Sequence, residues 1–319
     1  MIIQILLLIG GLALILFGAN WLVDGSTSIA RKTGLSEFVI GLTIVGIGTS
    51  APEMVVSYIS AFQGKSDMAI GNVIGSNIFN VFMILGITAL IAPLTITKSN
   101  AKRDIPLNIG VTALLILLGL KNTIFGIGSD VLSRWEGALL LGIFIIYLWR
   151  SFASGAATEE ESDEESRSYS TGMSILMILG GLGALVGGGR LFVNSATAIA
   201  EQLHMSEKLI AITIMSAGTS LPELATCIVA ARKGKGQMAL GNIIGSNISN
   251  ILLILGGAAL IHPMSFAGIS MVDTAAVSAS AILLLISVFS FRKGYIDKTE
   301  GAIFVLIQIS YMIWLIING

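Results

Sequence analysis

Long apolar runs fill almost the whole of this 319-residue chain. Ten stretches read as membrane spans: residues 2–23, 38–62, 68–92, 105–121, 132–150, 173–199, 208–231, 238–262, 272–291 and 301–317. Most approach or exceed the roughly 20 apolar residues with which a helix crosses about 30 Å of hydrocarbon. Backbone in lipid must satisfy its own hydrogen bonds, so only helices and closed barrels are open to such a chain. Barrel strands alternate apolar and polar residues, and these runs do not. The expected class is an all-α membrane protein with ten transmembrane helices and no sizeable soluble domain. Charged residues make up only 12% of the chain, half the usual share for a soluble domain.

The N-terminal run lacks a positive n-region and exceeds a signal h-region, so it reads as the first span. With the N-terminus outside, 13 of the 18 lysines and arginines fall in inside loops; Lys65, Lys121, Arg134, Arg190 and Lys208 fall outside. This bias predicts both termini outside and the loop 154–171 inside. The compact loops point to a prokaryotic cytoplasmic membrane. Net charge is −1 and no basic cluster occurs, so the lipid bilayer is the expected surrounding and nucleic acid is not an expected partner. The single cysteine, Cys227, excludes an internal disulfide and a multi-cysteine metal site.

The chain repeats itself at an offset of 170 residues. "GTSAPEMVVS" (48–57) lies over "GTSLPELATC" (218–227), and "GKSDMAIGNVIGSNIFN" (64–80) over "GKGQMALGNIIGSNISN" (234–250) without a gap. Each half, 1–153 and 172–319, then carries five spans around a motif at 46–80 or 216–250. Five is odd, so the second half enters the membrane from the opposite side. Inverted repeats of this kind are an architecture of secondary transporters, with the substrate site near the midplane. The intervening stretch, "SGAATEEESDEESRSYS", is acidic and without apolar periodicity; it reads as a solvated linker.

Each motif sets a glutamate, Glu53 or Glu223, directly after a proline inside an apolar span. A carboxylate there costs about 2.5–3.5 kcal/mol on insertion scales and faces a cavity or an ion. Pro52 and Pro222 lack the amide that continues a helix and clash with the preceding turn. Carbonyls around Gly46–Gly48 are then expected to leave the helical ladder, and Gly218 serves the second half in the same way. The proline opens the helix and the glutamate charges the opening. Ser76 and Asn80, like Ser246 and Asn250, are four apart and share a helix face; Asn72 and Asn242 fall on the same stripes. Gly71, Gly75, Gly241 and Gly245 have the spacing that lets helices approach closely. Two carboxylates balance one Ca²⁺, and calcium takes 6–8 oxygen ligands. The same oxygens, redistributed, suit several Na⁺ ions. His204 and His262 lie at span ends, so a soft-metal site is not expected.

The paired "GTSAPE"/"GNVIGSNIFN" and "GTSLPE"/"GNIIGSNISN" segments resemble the two repeats of the calcium/cation antiporter superfamily, close to its prokaryotic sodium/calcium exchangers. The resemblance covers nearly the whole chain. It implies ten helices in two inverted five-helix halves, four central cation sites, and alternating access by sliding of the first span of each half. By position it makes Glu53 and Glu223 the main calcium ligands, with carbonyls from Thr49 and Thr219. It places Ser50, Ser220, Ser76 and Ser246 in sodium sites and Asn80 and Asn250 in the middle of the cluster. Many relatives carry aspartate where this chain has Asn250; its absence argues against potassium dependence and leaves the two glutamates as the only proton carriers.

The leading expectation is an antiporter exchanging Ca²⁺ for Na⁺, with those ions as substrates, no cofactor and a monomer as the functional unit. Exchange of protons for Ca²⁺ through the same glutamates is the alternative within transport. A cation channel would need open helices and acidic residues too, but would usually be built around a shared oligomeric pore. No histidine is placed for a serine–histidine pair, so enzymatic activity is not expected.

Overall fold

A computed structural model describes residues 1–154, 169–203, 205, 216–290 and 292–318. Most of the acidic linker and the first part of the span expected at 208–231 lie outside the described residues. Among those described, helix dominates. Six helices are long and apolar enough to cross a membrane: Ile2–Thr33, Ser66–Ile91, Arg134–Ala153, Thr171–Gln202, Gly236–Ile261 and Lys298–Ile317. A seventh span is formed if Glu37–Thr49 and Ala51–Phe62, bent by 47°, are read as one. Met271–Ser287 and Ile105–Gly119 are shorter apolar helices of 17 and 15 residues. The protein is a multi-pass membrane protein.

Several helices overrun the expected spans. The run expected at 2–23 continues to Thr33, where Gly34 closes it with φ 67°; a left-handed residue is the usual helix stop, and glycine adopts it at least cost. Thr171–Gln202 has 32 residues, about 48 Å at 1.5 Å per residue, and so overshoots the hydrocarbon. Arg190, counted on the outside by the charge bias, lies on this helix as the span expected at 173–199 implies. Ser170 starts the helix by accepting a hydrogen bond from the Met173 amide.

Burial sorts the helices. Gly236–Ile261 and Ser66–Ile91 form the centre, with 83% and 67% of their apolar windows buried; Ile2–Thr33 and Lys298–Ile317 have 22%. The peripheral helices show Leu6, Leu179, Ile145 and Leu306 outward. A surface of that composition is stable in lipid and not in water.

Glycine sets the close contacts. On the first helix Gly11 and Gly18 meet Gly188 and Gly181 of the helix Thr171–Gln202: a Cβ on Gly11 would come 3.0 Å from the Gly188 carbonyl, and one on Gly18 2.7 Å from that of Gly181. Positions 11 and 181, and 18 and 188, are mates at the 170-residue offset, so the seam is reciprocal. Gly241 and Gly245 lie against the carbonyls of Phe38 and Leu42, where any Cβ would overlap. Their mates Gly71 and Gly75 have no neighbour within 4 Å of such a Cβ among the described residues. The glycine spacing thus serves close approach in one half, and borders open space in the other.

Two short antiparallel ribbons tie loops together. Leu94–Thr95 pairs with Tyr295–Ile296, and Val131–Leu132 with Met264–Ser265. Each ribbon joins two loops that the charge bias assigns to one face.

Candidate functional site

The motif helices break at the residues that carry the chemistry. Ser50 and Ser220 sit between helical segments with φ/ψ of −79°/9° and −89°/7°. Each is followed by a segment with proline in its first turn, where a missing amide costs no hydrogen bond. The breaks bring both glutamates to the centre, each 1% exposed.

The two halves are cross-connected there. Ser50 Oγ donates to Glu223 Oε1 at 2.9 Å, and Ser220 Oγ to Glu53 Oε1 at 3.2 Å. Ser76 Oγ lies 3.5 Å from Glu53 Oε1. The Thr219 and Thr49 side chains lie against the Glu53 and Glu223 carboxylates respectively. Thr49 Oγ1 donates to Asn242 Oδ1 at 3.1 Å. Ser246 is buried and donates to the Gly46 carbonyl at 3.1 Å. That carbonyl also accepts from the Ser50 amide at 3.3 Å. The Gly46 carbonyl, expected to leave the helical ladder, thus keeps its bond from the amide four residues on and takes Ser246 as a second donor; the amide that Pro52 lacks would have paired with Gly48.

Asn80 and Asn250 meet across the interface through a pair that the sequence reading passed over. Asn80 Nδ2 donates to Asn247 Oδ1 at 3.0 Å, and Asn250 Nδ2 to Asn77 Oδ1 at 2.9 Å. Asn77 and Asn247 are themselves mates at the 170-residue offset, each 2% exposed. The signal was present in the repeated "GSN", but a stripe drawn at four-residue spacing skips position 77. Behind the site, Asn72 Nδ2 donates to Ser57 Oγ at 3.1 Å and Asn242 Nδ2 to Cys227 Sγ at 3.2 Å; Ser57 and Cys227 are again mates.

Directly after Asn80 and Asn250 the helices widen to π-turns, Asn80–Leu85 and Asn250–Leu255. Such bulges recur at functional sites because they re-aim the preceding side chains. Apolar periodicity does not reveal them.

Four buried acceptor oxygens have no hydrogen-bond partner at this centre: Glu53 Oε2, Glu223 Oε2, Asn80 Oδ1 and Asn250 Oδ1. They form two pairs at the 170-residue offset. A buried unsatisfied acceptor costs about 1–3 kcal/mol, more when charged. No cluster of three or more histidine, cysteine or acidic residues occurs among the described residues, so the charge here is that of two carboxylates amid neutral oxygens. That donor set suits hard cations.

A bundle with an apolar exterior, two broken helices and an acceptor-lined centre is the construction of a membrane ion transporter. The comparisons with known proteins agree. Residues 3–153 and 173–317 match the family described as sodium/calcium exchanger protein, and the chain belongs to that family. It is 37% identical to the putative antiporter CaxA of Alkalimonas amylolytica over 98% of both chains. It is 33% identical to the sodium/calcium exchanger MaX1 of Methanosarcina acetivorans, again over 98% of each. The fold superposes on the sodium-calcium exchanger NCX_Mj with a TM-score of 0.84 and 32% identity, covering 98% of both chains. The family is one of membrane transporters, and the chain is a cation/Ca²⁺ antiporter of that kind.

Proposed function

We propose that this protein exchanges Ca²⁺ for Na⁺ across a prokaryotic cytoplasmic membrane by alternating access to the site between Glu53 and Glu223. One observation carries the reading: the four unpartnered buried oxygens on Glu53, Glu223, Asn80 and Asn250. Cations bound there would give partners to carboxylate and amide oxygens alike. That MaX1 and NCX_Mj are named sodium/calcium exchangers supports Na⁺ and Ca²⁺ as the pair.

In this reading Glu53 and Glu223 neutralise Ca²⁺. Ser50, Ser220, Ser76, Ser246, Thr49 and Thr219, with Asn80 and Asn250, supply the neutral oxygens over which Na⁺ ions distribute. Ser50 and Ser220 each join the carboxylate of the other half, so occupancy of one motif is felt in the other. Empty, the centre holds uncompensated carboxylates; loaded with either ion set, it is neutral enough to close. That difference couples the two fluxes. The glycine seam at Gly11, Gly18, Gly181 and Gly188 offers a smooth surface along which the first helix of each half slides. Ten spans in two inverted halves, termini outside and a monomeric unit complete the proposal.

The human sodium/potassium/calcium exchanger 2 is 32% identical over only 43% of this chain and 20% of its own length. With Asn250 in place of an acid, exchange is expected without potassium. Proton-coupled exchange is the second reading, favoured only by the unpartnered Glu53 and Glu223 oxygens, which protons would also satisfy. The test is radiolabelled Ca²⁺ uptake into proteoliposomes loaded with Na⁺, with K⁺, or carrying only a proton gradient. Uptake requiring trapped Na⁺ is expected. Uptake driven by protons alone would reassign the coupling ion, and uptake indifferent to any trans ion would replace antiport by a channel.

A further inference from the structure

A second cavity, of about 190 Å³, lies beside the central site and is not part of it; Gly71, Gly75, Ile269, Asp273, Gln308 and Tyr311 are among the residues that line it. Its floor is the helix Ser66–Ile91, on which Gly75 adjoins Ser76. Gly71 and Gly75 leave the space open, since a Cβ on either would meet nothing within 4 Å among the described residues. Its far wall is the helix Lys298–Asn318. There Gln308 is 4% exposed, and its Oε1 has no hydrogen-bond partner. One helical turn on, Tyr311 donates to Asp273 Oδ1 at 2.5 Å, while Ser270 Oγ donates to Oδ2 at 2.7 Å. The Asp273 carboxylate is thereby held in place and still has free lone pairs.

The cavity therefore combines one fixed carboxylate with an orphaned buried amide oxygen. From Gly71 to Phe79 the helix advances about 12 Å, and Phe79 adjoins Asn80, so the cavity leads from the rim toward the centre.

We propose that this cavity is an antechamber that binds one partly hydrated monovalent cation, Na⁺, between Gln308 Oε1 and the Asp273 carboxylate before it reaches Ser76 and Asn80. One carboxylate balances one Na⁺ and would leave Ca²⁺ half neutralised. The inference rests on the Na⁺/Ca²⁺ reading for its role in exchange, but not for binding.

The test uses the full chain in proteoliposomes sorted for orientation, with Gln308→Leu, Asp273→Asn and the conservative Gln308→Glu. Ca²⁺ efflux is followed against Na⁺ on the face bearing the loops 63–65 and 262–270. Gln308→Leu and Asp273→Asn are expected to raise the Na⁺ KM from that face about fivefold. The rate at saturating Na⁺, the KM for Ca²⁺ and the Na⁺ KM from the opposite face should be unchanged, and Gln308→Glu should restore the low KM. Unchanged Na⁺ KM values, or equal shifts from both faces, would overturn the antechamber. Binding is read apart from turnover by thiol labelling of Leu315→Cys on the cavity wall; the native Cys227 is buried. NaCl should slow labelling relative to choline chloride, and Gln308→Leu should abolish that protection. Protection that persists in Gln308→Leu would place the Na⁺ at the central site and sink the proposal. A protein that lacks Na⁺-driven exchange yet shows the Gln308-dependent protection would fail the exchange reading alone.

Discussion

Glu53 and Glu223 each commit one carboxylate oxygen to a serine of the other half and leave the second without a partner. Removing the charge while keeping the shape tests that arrangement: Glu53→Gln and Glu223→Gln should each abolish Ca²⁺ uptake. The loss should exceed the roughly 10–100-fold that removal of even an outer-shell partner costs a metal site. Near-normal exchange in either variant would refute the central assignment. Asn250→Asp adds a third acid where Nδ2 now donates to Asn77 Oδ1 at 2.9 Å. The variant should fold, and its exchange should become pH-dependent or acquire a new ion dependence; an unchanged ion and pH profile would show the asparagine to be incidental. Cys227 holds the place of Ser57 at the 170-residue offset and accepts from Asn242 as Ser57 accepts from Asn72. Cys227→Ser should therefore cost no more than about 1 kcal/mol in thermal denaturation.

The proposed mechanism divides the elements into those that pack rigidly and those that glide. The helix starting at Glu37 and the helix Gly236–Ser249 touch backbone to backbone at Gly241 and Gly245. Gly245→Val should destabilise the protein by about 1–3 kcal/mol through overpacking, read as a lowered melting temperature in detergent. Along the seam between Ile2–Thr33 and Thr171–Gln202, Gly18→Leu should do something different. If the first helices slide there, the variant should bind cations but exchange them slowly, because a side chain interrupts the smooth surface. Equal loss of binding and exchange would mark the seam as packing alone. The glycines themselves are plain in the sequence. Which partner each meets is not, because a heptad of glycines on one helix names no second helix.

On the scale of the molecule, the two β-ribbons set a test of sidedness. Leu94–Thr95 with Tyr295–Ile296 should lie inside, and Val131–Leu132 with Met264–Ser265 outside. Single cysteines placed near these ribbons on a Cys227→Ser background should label from opposite sides of intact cells. Labelling of both from one side would undo the inverted arrangement. Each ribbon pairs two loops that the charge bias assigns to one face.

The amino-acid sequence by itself determined that the chain is helical and lives in lipid, since uninterrupted apolar runs leave the backbone no other way to satisfy its hydrogen bonds there. It also determined the repeat and the identities of the central residues: duplication preserves spacing, and a proline–glutamate pair inside an apolar run has little other use. Only the tertiary structure decided which of those residues meet. Ser50 reaches Glu223 and not Glu53, 3 residues away in the chain; Asn77 and Asn247 join the centre; Ser246 turns to the Gly46 carbonyl. These choices depend on the 47° bend at Ser50, on the π-turns after the asparagines, and on glycine faces finding each other across halves. Each is a product of packing between segments distant in the chain, where local periodicity has no reach.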